Sequence, residues 1–220
     1  KIASMDINNL RFLSHIAKKA KPMFVSTGMS TIGEIDRAIE TIHAEGNNEI
    51  VLLHCTSIYP TPVELANLYM MGTLRNTFAL PTGYSDHSIG TDIPVAATAL
   101  GACMIEKHMT LDKSIEGQEH FMCADPDDLA LLVQKVTDSV RAMGSPRIRV
   151  LEEEKGLRNF ARRSIVTAKA IQNGTVITED LVAFKRPSTG IAPDRIDEIL
   201  GREINKDLEK DSIITWSDIS

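Results

Sequence analysis

The chain has 220 residues, enough for one large domain or for a medium and a small one, each with its own core. With 43% hydrophobic and 25% charged residues, no apolar run near the roughly 18 residues that span a bilayer, and three cysteines (Cys55, Cys103, Cys123), it excludes a membrane span and a disulfide framework, and the cytoplasm is the expected compartment. A net charge of −6 without a Lys/Arg-dense face argues against nucleic acid and leaves room for an anionic small molecule held by a few local cations.

In chain order, the sequence opens inside a strand-like run, Lys1-Ile2-Ala3, which predicts a fragment or a processed chain. Further apolar runs follow at residues 23–25, 50–53, 80–84 (a weaker one) and 103–105, each ending in polar residues and leading into a helix-like stretch. Their spacing of roughly 20 to 30 residues is that of βα units. The first marked helix has Ile32, Ile35, Ile39 and Ile42 on one face and a Thr31/Glu34 capping box. The second starts at Asp125 and Pro126, carries a stripe of Leu129, Leu132, Val133, Val136 and Val140 expected to be buried, and stops at Gly144. Residues 146–159, with Arg147, Arg149, Glu152, Glu153, Glu154 and Lys155, read as a charged linker between domains at 1–145 and 160–220. The second domain holds short β-type runs such as Ser164-Ile165-Val166-Thr167, with turns at Asn173-Gly174 and residues 187–190. An internal echo places Ile171, Gly174, Ile177 and Thr178 again 37 residues later as Leu208, Asp211, Ile214 and Thr215.

In a βα architecture the reactive groups sit at the C-terminal ends of the strands. Those ends carry Lys1 and Ser4; Ser26 and Thr27; His54, Thr56, Ser57 and Tyr59; Ser85, Asp86 and His87; Glu106, Lys107 and His108. His87 and His108, on successive strands, are either a pair of ligands to a divalent metal or two strand-end caps. The run Ser26-Thr27-Gly28-Met29-Ser30 is either an anion-binding strand-to-helix turn or an ordinary one. Lys1 and Lys107 supply positive charge nearby, and a desolvated lysine could form a Schiff base. His15 and His43 read as solvated helix residues, His54 as buried and satisfied or functional, and His120 as an unassigned loop residue.

Taken in order, Lys1-Ile2-Ala3-Ser4, Ser26-Thr27-Gly28-Met29, Leu53-His54-Cys55-Thr56-Ser57 with Tyr59-Pro60, Tyr84-Ser85-Asp86-His87, and the run from Ile105-Glu106-Lys107-His108 to Asp112 resemble the serial motifs of the N-acetylneuraminate synthase family. Phe160-Ala161, Lys185-Arg186-Pro187, Gly190 and Ile214-Thr215 resemble that family's antifreeze-like domain. The resemblance implies an α/β protein with part of a (β/α)8 TIM barrel, about strands four to eight, followed by a small β-rich SAF (β-clip) domain. Family members carry about a hundred further residues with the first three strands, and five strands alone would leave an open sheet edge and exposed apolar surface. The implied reaction joins phosphoenolpyruvate to an N-acylated mannose-type sugar, giving a nine-carbon 2-keto acid and phosphate. His87 and His108 would hold the metal, manganese first, with magnesium or cobalt as alternatives. Lys1, Ser4, Ser26, Ser57, Tyr59 and Ser85 would hold phosphoenolpyruvate, Asp6 would serve as a catalytic carboxylate beside Lys1, His87 and His108, and Arg186 would reach the sugar site of the opposite subunit in a domain-swapped homodimer.

Departures from the family pattern fall on the sugar side. Asp6 stands where glutamate or aspartate is common, Glu119 replaces the usual sugar-binding aspartate, and Gln118 replaces a usual proline. One extra methylene moves a carboxylate by more than about 1 Å, enough to alter sugar choice. Two other expectations stay open: a lysine Schiff-base aldolase working through Lys1 or Lys107, and a non-catalytic carbohydrate-binding fragment.

Overall fold

The computed structural model describes residues 1–117 and 119–220; Gln118, one of the departures from the family pattern, lies outside the described residues. The chain divides into two compact units, Lys1–Ser145 and Pro146–Ser220. Among the described residues no helix is long and apolar enough to cross a membrane.

The first unit alternates strands and helices: α1 (Leu10–Ala17), β1 (Met23–Ser26), α2 (Ile32–Ala44), β2 (Ile50–Cys55), α3 (Met70–Phe78), β3 (Thr82–Asp86), α4 (Asp92–Ala99), β4 (Ile105–Lys107) and α5 (Pro126–Met143). The four strands form one parallel sheet in the order β1-β2-β3-β4. In β2 a continuous apolar run, with Leu52 and Leu53 fully buried, suits a strand covered on both faces. The run at residues 2–3 is not a strand: Ile2 makes a single parallel bridge to Val25, and the turn Ser4–Asp6 then carries the chain off. The last strand begins at Ile105, later than the apolar run at 103–105 suggested.

The sheet is curled. Lys1 precedes the bridge beside β1 and Glu106 lies on β4, so a flat sheet with strands about 4.8 Å apart would hold the two chains roughly 19 Å apart, beyond the reach of extended lysine and glutamate side chains. Their side chains nevertheless meet at 3.1 Å across the concave face.

Caps fix the two well-marked helices. Thr31 and Glu34 form a reciprocal capping box on α2, which buries Ile35, Ala38, Ile39 and Ile42 while Ile32 stays outside the core. Asp125 and Asp128 do the same on α5, with Pro126 in its first turn and Gly144 at its end in the left-handed region (φ 52°). The stripe expected to be buried on α5 is only partly covered: Leu132 is in the core, while Val133 and Val140 are exposed. Helical period predicts that these residues share a side, not what covers it. In this fold the stripe faces Thr98, Ala102, Met104 and Ile105 across an apolar groove of about 570 Å³.

In the second unit, α6 (Glu152–Ala161) is followed by the antiparallel pair β5 (Ser164–Thr167) and β6 (Val182–Lys185). The linker expected at 146–159 is thus largely helix. Three glutamates in its first turn suit the helix dipole, Glu152 pairs with Lys155, and Glu154 accepts the Leu151 backbone N–H at 3.1 Å. The core is aliphatic, centred on Ile165, Ile177, Ile191, Ile199, Ile204 and Ile214. The sequence echo is a structural repeat. Ile171 and Leu208 bridge each other, Gly174 (φ 80°) and Asp211 (φ 69°) both adopt left-handed backbone, Ile177 and Ile214 are both buried, and Thr178 and Thr215 both precede a short 3-10 turn.

A side chain at Gly190 would have nowhere to go, since its Cβ would lie 2.5 Å from the Ile214 carbonyl oxygen and 2.3 Å from an Ile213 methyl. Gly190→Ala is expected to destabilise this unit by about 1–3 kcal/mol, as overpacking against backbone does. Thermal unfolding checks it; an unchanged transition would show that the backbone around Ile214 yields freely.

Candidate active site

Strand alternation decides which side chains meet. Successive residues of a strand point to opposite faces, and β3 and β4 pair in register as Ser85 with Glu106 and Asp86 with Lys107. Ser85 and Glu106 therefore face one side, and His87 and His108 follow them on that side. Asp86 and Lys107 face the other, where the Lys107 ammonium is bound to the Asp86 carboxylate at 2.6 Å and to the Ser88 carbonyl at 2.7 Å. Asp86 is closed by two further donors, the Ser88 N–H at 2.9 Å and hydroxyl at 2.7 Å. Lys107, one of the two Schiff-base candidates, is thus a buried structural cation.

On the first side lies a cavity of about 470 Å³ at the C-terminal strand ends. It brings together Lys1, Ser4, Ser26, Ser57, Tyr59, Ser85, His87, His108 and Glu119. Of the other residues marked in the sequence, Asp6 ends the turn Ser4–Asp6 and does not line the cavity, and Arg186 belongs to the second unit, where its Nε donates to the Ala161 carbonyl at 2.9 Å. His54 is buried with Nε2 2.7 Å from the Ala66 carbonyl, and burial lowers its pKa; it is a satisfied structural histidine. His120 lies 2.8 Å from the Thr110 hydroxyl through Nδ1 and, with Cys123 and Met109, borders a smaller cavity that shares His108 and Glu119.

The two imidazoles are oriented from behind. His87 Nδ1 lies 2.9 Å from the Thr56 carbonyl, an acceptor only, so Nδ1 carries the proton and the Nε2 lone pair is available. His108 Nδ1 lies 3.2 Å from Glu119 Oε2, which favours the same tautomer. The ring centroids are 5.1 Å apart and nearly perpendicular, and the Tyr59 ring lies 4.0 Å from that of His87 and 5.6 Å from that of His108. Burial favours the neutral form of His87, but hydrogen bonds to Cys55 and the Thr56 carbonyl, with the nearby Asp86 charge, outweigh it and raise its pKa. The Cys55 thiol shows the converse: burial pushes it up, and bonding to His87, Ser4 and Ser57 brings it below the usual cysteine value. Burial first, then the charges of Cys55, Glu119 and Glu106, raise the Tyr59 phenol.

Hydroxyls line the same cavity. The Gly28 N–H donates to Ser4 Oγ at 3.0 Å, and a Cβ on Gly28 would lie 2.3 Å from Ser57 Oγ and 2.8 Å from Ser4 Oγ. Only glycine lets the backbone approach both hydroxyls so closely. Ser26 Oγ is fully buried and has no hydrogen-bond partner among the described residues. A buried hydroxyl without a partner costs about 1–3 kcal/mol, a cost that a polar ligand would offset.

Two cavity residues do not stand out as ligand contacts in the sequence. Glu106 figures there only among the polar strand ends, and its meaning comes from its register neighbour Ser85, whose hydroxyl it accepts at 2.7 Å. Cys55 figures in the sequence only among the three cysteines and within the motif Leu53-His54-Cys55-Thr56-Ser57; its place against His87 needs the β2–β3 pairing.

Residues 1–147 match the model of the NeuB family and residues 162–220 that of the SAF domain. The chain is 43% identical over 219 residues to an uncharacterized protein of Methanocaldococcus jannaschii, MJ1065, covering all of this chain and 65% of that protein. It is 39% identical over 223 residues to the N,N'-diacetyllegionaminic acid synthase of Legionella pneumophila, covering all of this chain and 63% of that protein. The chain therefore spans less than two-thirds of the length of these curated relatives. Among solved structures, the spore coat polysaccharide biosynthesis protein SpsE of Bacillus subtilis is similar over the whole chain and 66% of its own, at 35% identity with a TM-score of 0.63.

Proposed function

This chain belongs to the NeuB family and carries a SAF domain, and on that footing we propose that it condenses phosphoenolpyruvate with an N-acylated mannose-type sugar, as a synthase of nonulosonate (sialic acid-type) sugars. The observation that carries the proposal is the cavity in which two oriented imidazoles share one space with Lys1 and a set of serine hydroxyls, one of them buried without a partner. The curled parallel sheet suits the same reading as part of a (β/α)8 barrel, about its strands four to eight.

In this reading Lys1, Tyr59 and the hydroxyls of Ser4, Ser26, Ser57 and Ser85 hold the phosphate and carboxylate of phosphoenolpyruvate. C3 of phosphoenolpyruvate bonds to the aldehyde carbon of the open-chain sugar, whose oxygen takes up a proton. Water adds at C2, and the C2–O bond to phosphate then breaks, leaving a keto group. Holding the reacting carbons in contact and stabilising the transferred charge are what such a site supplies.

The donor set fits a divalent metal. Among the described residues no group of three or more His, Cys, Asp or Glu side chains is placed to hold an ion, so His87 and His108 would supply two nitrogens and leave the remaining positions to water and the sugar. Manganese fits such an open shell, with magnesium and cobalt as alternatives. Bound there, the cation would polarise the sugar aldehyde. Glu119 would orient His108 and reach the sugar, and Asp6 is assigned as a catalytic carboxylate on the family resemblance. Arg186 is proposed for the sugar site of a second copy, in a cytoplasmic, domain-swapped homodimer.

The test is phosphate release from phosphoenolpyruvate in the presence of N-acetylmannosamine and related N-acylated hexoses, with manganese and with a chelator, on the full chain. Release that needs both sugar and metal supports the proposal; none with any such sugar sinks it. Gly28→Ala should raise the KM for phosphoenolpyruvate about tenfold, because a methyl group displaces the Ser4 and Ser57 hydroxyls and weakens about two hydrogen bonds. Steady-state kinetics with phosphoenolpyruvate varied decide it, and an unchanged KM would remove those hydroxyls from the binding site.

A further inference from the structure

Glu106 has no role in the proposed reaction, yet its carboxylate sits where that reaction requires an anion. Its Oε1 lies 3.1 Å from Lys1 Nζ and accepts the Ser85 hydroxyl at 2.7 Å. One carboxylate oxygen thus engages two of the donors assigned to phosphoenolpyruvate. The arrangement follows from the fold: Ser85 and Glu106 are direct partners across β3 and β4, and Lys1 arrives from the opposite margin of the curled sheet. The Lys1 and Glu106 side chains are each about one-third exposed (31% and 32%), so the pair faces the cavity rather than the core. The unpartnered Ser26 hydroxyl borders the same space.

We propose that Glu106 is an internal stand-in for an anionic oxygen of the ligand. It holds Lys1 and Ser85 before the substrate enters and releases them to phosphoenolpyruvate on binding. The exchange is forced at Ser85, because a serine hydroxyl has one proton and cannot donate to Glu106 and to the ligand together. Lys1 has three protons, but an incoming anion still competes with a carboxylate for its charge. The measured affinity is therefore the net of one set of charge-assisted bonds replacing another. Once released, the carboxylate stands close to the product phosphate and repels it.

This inference rests on the anion-binding reading, and one experiment separates the two. Isothermal titration calorimetry of the full chain is carried out with phosphoenolpyruvate and, separately, with inorganic phosphate, for the wild type and Glu106→Gln. The amide keeps the length and the acceptor but removes the competing charge; should that variant not fold, Glu106→Ala takes its place. Binding about twofold to fivefold tighter than wild type is expected for both anions, the range that a partly exposed ion pair allows. If the wild type binds phosphoenolpyruvate and the variant binds it equally or more weakly, Glu106 is not a competitor and the inference falls while the anion site stands. If the wild type binds neither anion, both fall.

Discussion

Replacing His87 with alanine is expected to lower metal-dependent phosphate release at least about 100-fold, while leaving the fold intact. Under the proposed function the imidazole is one of two protein nitrogens for the cation, and its removal leaves His108 as the other. Its Nδ1 is committed to the Thr56 carbonyl, which fixes the ring so that Nε2 faces the cavity. His108→Ala should act alike, and the double variant should be little worse than either single one, since the two act as one unit. Activity over a manganese titration provides the measurement. Retention of more than about a tenth of wild-type turnover at saturating metal would remove these residues as ligands.

The largest expected loss of stability comes from Asp86→Ala. The Asp86 side chain is fully buried and Lys107 nearly so (0% and 6% exposed), and removing the carboxylate leaves a buried ammonium with only the Ser88 carbonyl. Breaking such a pair costs about 3–5 kcal/mol. The control is Asp86→Ala combined with Lys107→Met, which removes both charges and should recover much of the loss. Urea unfolding followed by circular dichroism reports both; a single-variant cost below about 1 kcal/mol would mean that water reaches Lys107.

What could be read from the sequence follows from the range of the forces involved. Local features were legible: the Thr31/Glu34 box and the Asp125 cap need only residues within one turn, and the apolar run of β2 needs only a buried strand. The strand ends named the polar residues of the cavity because βα geometry gathers them whatever the loops do. Less legible was whatever depends on a distant partner. The exposure of Val133 and Val140 depends on what lies against α5, and the stand-in role of Glu106 depends on its register with Ser85. The helix α6 was hidden by its charges, whose pairing at one-turn spacing stabilises what composition alone reads as a linker. The structural content of the echo was legible only as a repeat; that Ile171 and Leu208 pair with each other needed the fold.

The Asp86–Lys107 pair guards more than stability. A one-residue slip of β4 against β3 would turn its side chains to the opposite faces. Glu106 and His108 would leave the cavity, Lys107 would enter it, and Asp86 would be left buried without its counter-charge. The slipped arrangement is thus penalised at the back of the sheet before any substrate tests the front. A charge pair that touches no ligand acts as the proofreader of the strand alignment on which the two imidazoles depend.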